Sequence, residues 1–185
     1  MSQPPDSERL LDAMARYCAN LNESAQEILL LGARDANEPL VRALLAQFVH
    51  AQITIVDPLE STIQLMSEAL ADVQDRLRLA TGSAADLAEL ASGPYQLIVV
   101  RHPDIVMQRN AWEAALTACT AALDPGGLIL LTTEQLADAG FIHDIVELHG
   151  LQMLSGTPYT AVPVALSGLD RYILIYEWAP KPPGN

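Results

Sequence analysis

The chain has 185 residues, half of them hydrophobic, which is enough for one sizeable core and falls within the usual size of one domain. Its 23 acidic against 10 basic residues leave a formal net charge of −13, a field that repels polyanionic nucleic acid and anionic lipid surfaces. The arginines are scattered, Lys181 is the only lysine, and no window approaches the ~18 continuous apolar residues of a membrane span, so neither nucleic acid nor membrane is expected as a partner.

The elements follow in order. Leu10, Leu11, Met14, Ala15, Cys18 and Leu21 recur at helical spacing, predicting a leading amphipathic helix over 7–22 capped by Asp6 or Ser7. The run from Glu27 to Gly32 is short, continuously apolar and stopped by glycine, as a strand buried on both faces should be. Asn37 can cap a helix whose apolar face is Leu40, Val41, Leu44, Leu45 and Phe48. Strand patterns then recur at 53–57, 76–80, 95–101 and 127–133, separated by helical patterns at 61–73, 84–90 and 111–123.

Five strand-helix alternations imply right-handed crossovers and a parallel sheet covered on both faces. A helix at 141–148 follows, then strands at 151–155 and 171–178 around a Pro/Gly loop. With no helix between them, those two strands form an antiparallel edge hairpin. The expectation is a single domain over 1–178 and a disordered, proline-rich tail over 179–185. Cys18 and Cys119 belong to no metal or redox pattern and read as buried reduced thiols; with no apolar leader at the N-terminus, the expected location is cytoplasmic.

This order of elements resembles the class I S-adenosylmethionine-dependent methyltransferases over about residues 7–178. The resemblance implies a Rossmann-like three-layer α/β sandwich with a seven-stranded, mostly parallel sheet of order 3-2-1-4-5-7-6, strand 7 antiparallel. Three local features carry it: Gly32 closing strand one, Asp57 closing strand two, and Ala122-Leu-Asp-Pro-Gly-Gly-Leu-Ile-Leu-Leu131, similar to the family's Leu-x-Pro-Gly-Gly entry into strand five. It implies a cofactor site of Gly32, Ala33, Arg34, Asp57, Ser83 and Arg101, with Asp57 on the ribose hydroxyls.

The family's glycine-rich motif is only partly present. Over Leu30-Leu31-Gly32-Ala33-Arg34-Asp35-Ala36, Leu30 replaces an acid, Arg34 the second glycine and Ala36 the third. Arg34 either lies in solvent beside Asp35 or meets an anionic group such as the cofactor's carboxylate. The acid after strand three is Ser83, unless Asp86 takes its place.

Arg101-His102-Pro103-Asp104 should lie beyond the carboxyl end of strand four, at the switch point where open parallel sheets bind ligands. His102 is a candidate proton acceptor and Asp104 a candidate orienting acid, unless Asp104 simply pairs with Arg101. The expected activity is methyl transfer to a small molecule. The competing expectations are a binding or assembly domain on the same scaffold without the cofactor, and a site for another nucleotide or anion. A homodimer is a further expectation, since so short a unit could close its site with a second subunit.

Overall fold

A computed structural model describes residues 26–32, 37–91, 93–153, 162–163 and 172–178, together with Leu10, Ala15, Cys18 and Leu21 from the leading segment. Most of the expected leading helix, the segment Ala33–Ala36 and the tail after Trp178 lie outside the described residues. The strands are β1 (Glu27–Leu31), β2 (Gln52–Asp57), β3 (Leu77–Thr81), β4 (Tyr95–Arg101), β5 (Leu123–Thr133), β6 (Leu151–Met153), β7 (Val162–Pro163) and β8 (Tyr172–Trp178). The helices are α1 (Asn37–Gln47), α2 (Glu60–Ala69), α3 (Leu87–Leu90), α4 (Arg109–Ala122) and α5 (Leu136–Leu148).

The sheet runs β3-β2-β1-β4-β5-β8-β6, with the first five strands parallel and β8 antiparallel to β5. With β8 counted as the seventh long strand, this is the expected 3-2-1-4-5-7-6 order. One strand was not anticipated. The two-residue β7 pairs with Ile173 and Tyr172, while β6 pairs with Trp178 to Tyr176, so the two share the outer edge of β8.

Alternation along the strands sorts the core into two layers. Leu30, Ile55, Val99, Leu130 and Ile175 pack with Leu40, Val41 and Leu44 of α1 and with Leu10 and Cys18. Leu31, Val56, Val100, Leu131 and Leu174 pack with Leu116 and Cys119 of α4 and Ile142 and Val146 of α5. Both faces of the sheet are therefore covered, as a parallel sheet of β-branched and leucine residues requires.

Several boundaries move. The helix expected over 61–73 stops at Ala69 and continues as a 3-10 segment, Ala71–Arg76, kinked at Val73 with φ −128°. Arg76 then turns back and donates to the carbonyls of Leu45, Phe48 and Ala51, satisfying acceptors where α1 ends. Strand β5 starts earlier than its glycines suggest. Between the pairs Tyr95↔Leu123 and Leu97↔Leu128 the register shifts, and Pro125-Gly126-Gly127 forms a bulge in which Gly126 takes φ +81°.

Both cysteines are free and buried, and burial pushes each thiol from 9.0 up to about 12. Burial also raises the Tyr176 hydroxyl above its ordinary range. The folded state thus holds protons that the unfolded chain releases from about pH 9, so stability is complete below that pH and falls as pH climbs toward 12. Urea midpoints should drop between pH 7.5 and 10.5, and Cys119→Ala should lose less than the parent, by up to ~1.4 kcal/mol per pH unit; identical losses in the two proteins would refute this account.

Candidate active site

At the switch point the carboxyl ends of β1 and β4 come into direct contact. Gly32 follows β1 with φ +80°, and a Cβ built there would lie 2.5 Å from the Arg101 carbonyl oxygen at the end of β4. No other residue fits, on grounds of both space and conformation. The Gly32 N–H donates to the Val56 carbonyl at 3.2 Å, tying the same turn to β2.

Arg101 continues the alternation of Leu97 and Val99, so its side chain reaches the α1 layer, where it is nearly buried. There Asn37, wholly buried at the start of α1, accepts a hydrogen bond from the Arg101 guanidinium and donates through Nδ2 to the Gly32 carbonyl at 2.8 Å. Expected only as a helix cap, Asn37 is the clamp that joins the first loop to the end of β4. Arg101 does not depend on Asp104, whose Oδ1 accepts the Met107 N–H at 3.1 Å and shapes the turn into α4.

His102 follows at φ +50°, a region side chains rarely occupy, held by its N–H on the Thr132 carbonyl at 3.2 Å. Across the sheet, Asp57 closes β2 almost wholly buried, and its Oδ1 accepts the Leu59 N–H at 2.9 Å, which fixes the carboxylate in an Asx turn. The Gly82 N–H donates to the Asp57 carbonyl at 3.0 Å, bringing the end of β3 alongside. Ser83 and Asp86 form their own turn: one Asp86 oxygen accepts the Ser83 N–H at 3.0 Å and hydroxyl at 2.7 Å, and those bonds hold its carboxyl below the usual range. Asp86 is thus a turn residue, and Ser83 is the one at the site.

These residues enclose a cavity of about 200 Å³. Gly32, Asp57, Ser83, Arg101, His102 and Asp104 all line it, so six residues expected from the sequence meet in one place. Ala33 and Arg34 lie outside the described residues. Leu31, Val56 and Trp112 add apolar walls, and Gln108 a polar one. Pro58 and Gln108 carried no signal in the sequence. The replaced acid, Leu30, is not in the cavity at all, being fully buried between Ile55 and Val99.

The same architecture recurs in solved structures. The chain is similar to the N-methyltransferase NodS of Bradyrhizobium japonicum WM9, with a TM-score of 0.68 at 13% identity over 96% of this chain and 98% of that one. Its fold is that of the class I S-adenosylmethionine-dependent methyltransferases. NodS in complex with S-adenosyl-L-homocysteine matches with a TM-score of 0.67 at 12% identity, over 96% of this chain and 88% of that one. The Methanococcus jannaschii fibrillarin pre-rRNA processing protein matches with a TM-score of 0.62 at 14% identity, over 85% and 68%. An O-methyltransferase family protein of Burkholderia thailandensis matches at 0.63 and 15% identity, over 93% and 59%. No protein-family model and no curated protein sequence matches the chain. Among the described residues there is no group of side chains able to hold a metal ion and no helix long and apolar enough to cross a membrane.

Two of the left-handed glycines, Gly32 and Gly126, give a paired test. Gly126 has open space around an added Cβ, whereas Gly32 has the Arg101 carbonyl at 2.5 Å. In urea denaturation Gly126→Ala should cost about 1 kcal/mol, from conformation alone. Gly32→Ala should cost about 3 kcal/mol or more, because overlap adds to the same strain. Equal costs would mean that β1 and β4 do not meet as described.

Proposed function

We propose that this chain is an S-adenosylmethionine-dependent methyltransferase acting on a small molecule, and the observation that carries the reading is the buried Asp57 carboxylate opening into the switch-point cavity. A carboxylate at the end of β2 suits a vicinal diol, which offers two hydroxyl donors to two acceptor oxygens. Leu31, Val56 and Trp112 supply the flat apolar surfaces that a nucleobase stacks against, and the turn at Gly82 and Ser83 supplies backbone groups for its edge. The described residues thus fit the nucleoside half of the cofactor. Arg101, held by Asn37, is suited to the carboxylate of the amino-acid half, together with Ala33 and Arg34 of the first loop.

When bound, the cofactor supplies an electrophilic methyl group on a sulfonium. The protein's part is to hold the acceptor in line and to accept a proton, which requires no nucleophilic triad. His102 lines the cavity, where its imidazole is the candidate proton acceptor, and Asp104 can orient the incoming group. An acceptor held at this end of the cavity would give up its proton to His102 or to water.

A second reading, a binding domain on this scaffold without the cofactor, is favoured by one observation. The cavity's 200 Å³ is below the ~300–1,000 Å³ common for small-molecule sites. One experiment separates the two. Titration with S-adenosyl-L-homocysteine should give saturable heat, and ligand at 100 times its Kd should stabilise the fold by about 2.7 kcal/mol. Asp57→Ala should weaken that affinity about ten- to a hundredfold, the worth of hydrogen bonds to a charged group. Absence of heat and of thermal stabilisation at millimolar ligand would leave the binding-domain reading in its place.

A further inference from the structure

Beyond the loop after β4 lies a second concavity, of about 680 Å³, between that loop and the first two turns of α5. Ile105, Val106, Leu136 and Phe141 form its apolar wall. Val106, in that wall, and its chain neighbour Met107 are 73% and 79% exposed, an unusual placement for two adjacent large apolar side chains. Arg109 lies over the Phe141 ring at 4.4 Å from its centroid, so one ring face is covered by the guanidinium.

The charge of this concavity is uneven. Asp138 and Asp144 line it, while Glu134 and Asp104 stand close enough to Asp138 to raise its carboxyl pKa, behind the larger effect of burial. Arg109 is the cationic residue of the lining and is engaged with the ring. Asp104 lines the switch-point cavity and stands close enough to Asp138 of the groove to act on its carboxyl, so one carboxylate lies between the two spaces.

Resting on the methyltransferase reading, we infer that this groove is the acceptor-substrate site and that its occupant is a small cationic amine with an apolar, ring-sized body. The body lies against Ile105, Leu136 and Phe141, and the ammonium group faces Asp138 and Asp144. An anionic substrate would meet the Asp138 and Asp144 carboxylates along the same rim, with the one cation of the lining, Arg109, already engaged by the Phe141 ring. The acceptor atom would enter the first cavity past Asp104, which places it beside His102.

The test uses the full chain with 2-phenylethylamine, and with 3-phenylpropionate and 2-phenylethanol as anionic and neutral probes of similar shape, followed by NMR titration. The amine should bind with shifts confined to the β4–α4 loop and the start of α5, and the anion should not bind. Asp138→Asn should weaken the amine about three- to tenfold, a value set by a partly exposed ion pair, and leave S-adenosyl-L-homocysteine binding unchanged. Leu136→Ser, on an exposed position that leaves the core intact, should weaken the amine and the alcohol alike. Equal binding of amine and anion, or shifts elsewhere on the protein, would overturn the inference even where S-adenosyl-L-homocysteine binds. Amine binding in this groove without any S-adenosyl-L-homocysteine binding would uphold the groove's chemistry and overturn the reading of the first cavity.

Discussion

The site depends on the approach of two strand ends. Where Gly32 leaves β1, the Arg101 carbonyl of β4 occupies the volume that a side chain would need. Because the chain crosses from one half of the sheet to the other between these strands, their contact decides how far apart the loops of the two halves stand. Asn37 makes that distance rigid. One amide binds the carbonyl of Gly32 and the guanidinium of Arg101, so the end of β1, the start of the first helix and the end of β4 are tied together. A buried amide is well suited to this, since it offers a donor and an acceptor and adds no charge to an already acidic protein.

Arg101 is the costly part of the arrangement. A guanidinium placed at the carboxyl end of a sheet among leucine, valine and isoleucine loses hydration, and burial of a charge is tolerated only where its hydrogen bonds are satisfied. Arginine is the cation best able to accept such a place, being weakly hydrated and planar. An apolar residue would avoid that cost, as the preceding Leu97 and Val99 illustrate on the same face. That the charge sits at the switch point, beside the positive φ of His102, is consistent with a site where conformational and electrostatic strain serve a ligand.

What was legible in the sequence followed from local chemistry. β4 runs from Tyr95 to Arg101 as its apolar run predicts, and Asp57 ends β2 where the β-branched run gives out. What was not legible depends on contacts distant in sequence. Helix α5 begins at Leu136 rather than 141 because Ala139 and Ile142 pack into the core, which outweighs the ~1 kcal/mol that Gly140 costs inside a helix. β7 consists of two residues in a proline-rich loop, and only pairing with β8 makes it a strand. Asn37 looked like an ordinary cap, because its link to Arg101 spans 64 residues. Leu30 looked like a damaged motif, whereas its fully buried place between β2 and β4 makes it a core residue.

The two departures from the glycine-rich motif therefore differ in kind. Leu30 changes what fills the sheet and leaves the lining of the cavity untouched, while Arg34 adds a cation to the loop that would meet the amino-acid end of a cofactor. In a chain of net charge −13 such a cation has an electrostatic consequence. On the methyltransferase reading the donor is a sulfonium and its demethylated product is a neutral thioether, so an acidic protein draws the reactant in by long-range attraction and retains the product less. The overall field favours a positively charged donor and a positively charged acceptor alike. Local arginines are then needed to hold the one negative group the donor carries, its carboxylate, which the acidic surroundings would otherwise repel. On that reading Arg101, clamped by Asn37, is suited to the task, and Arg34 follows Gly32 by two residues along the chain.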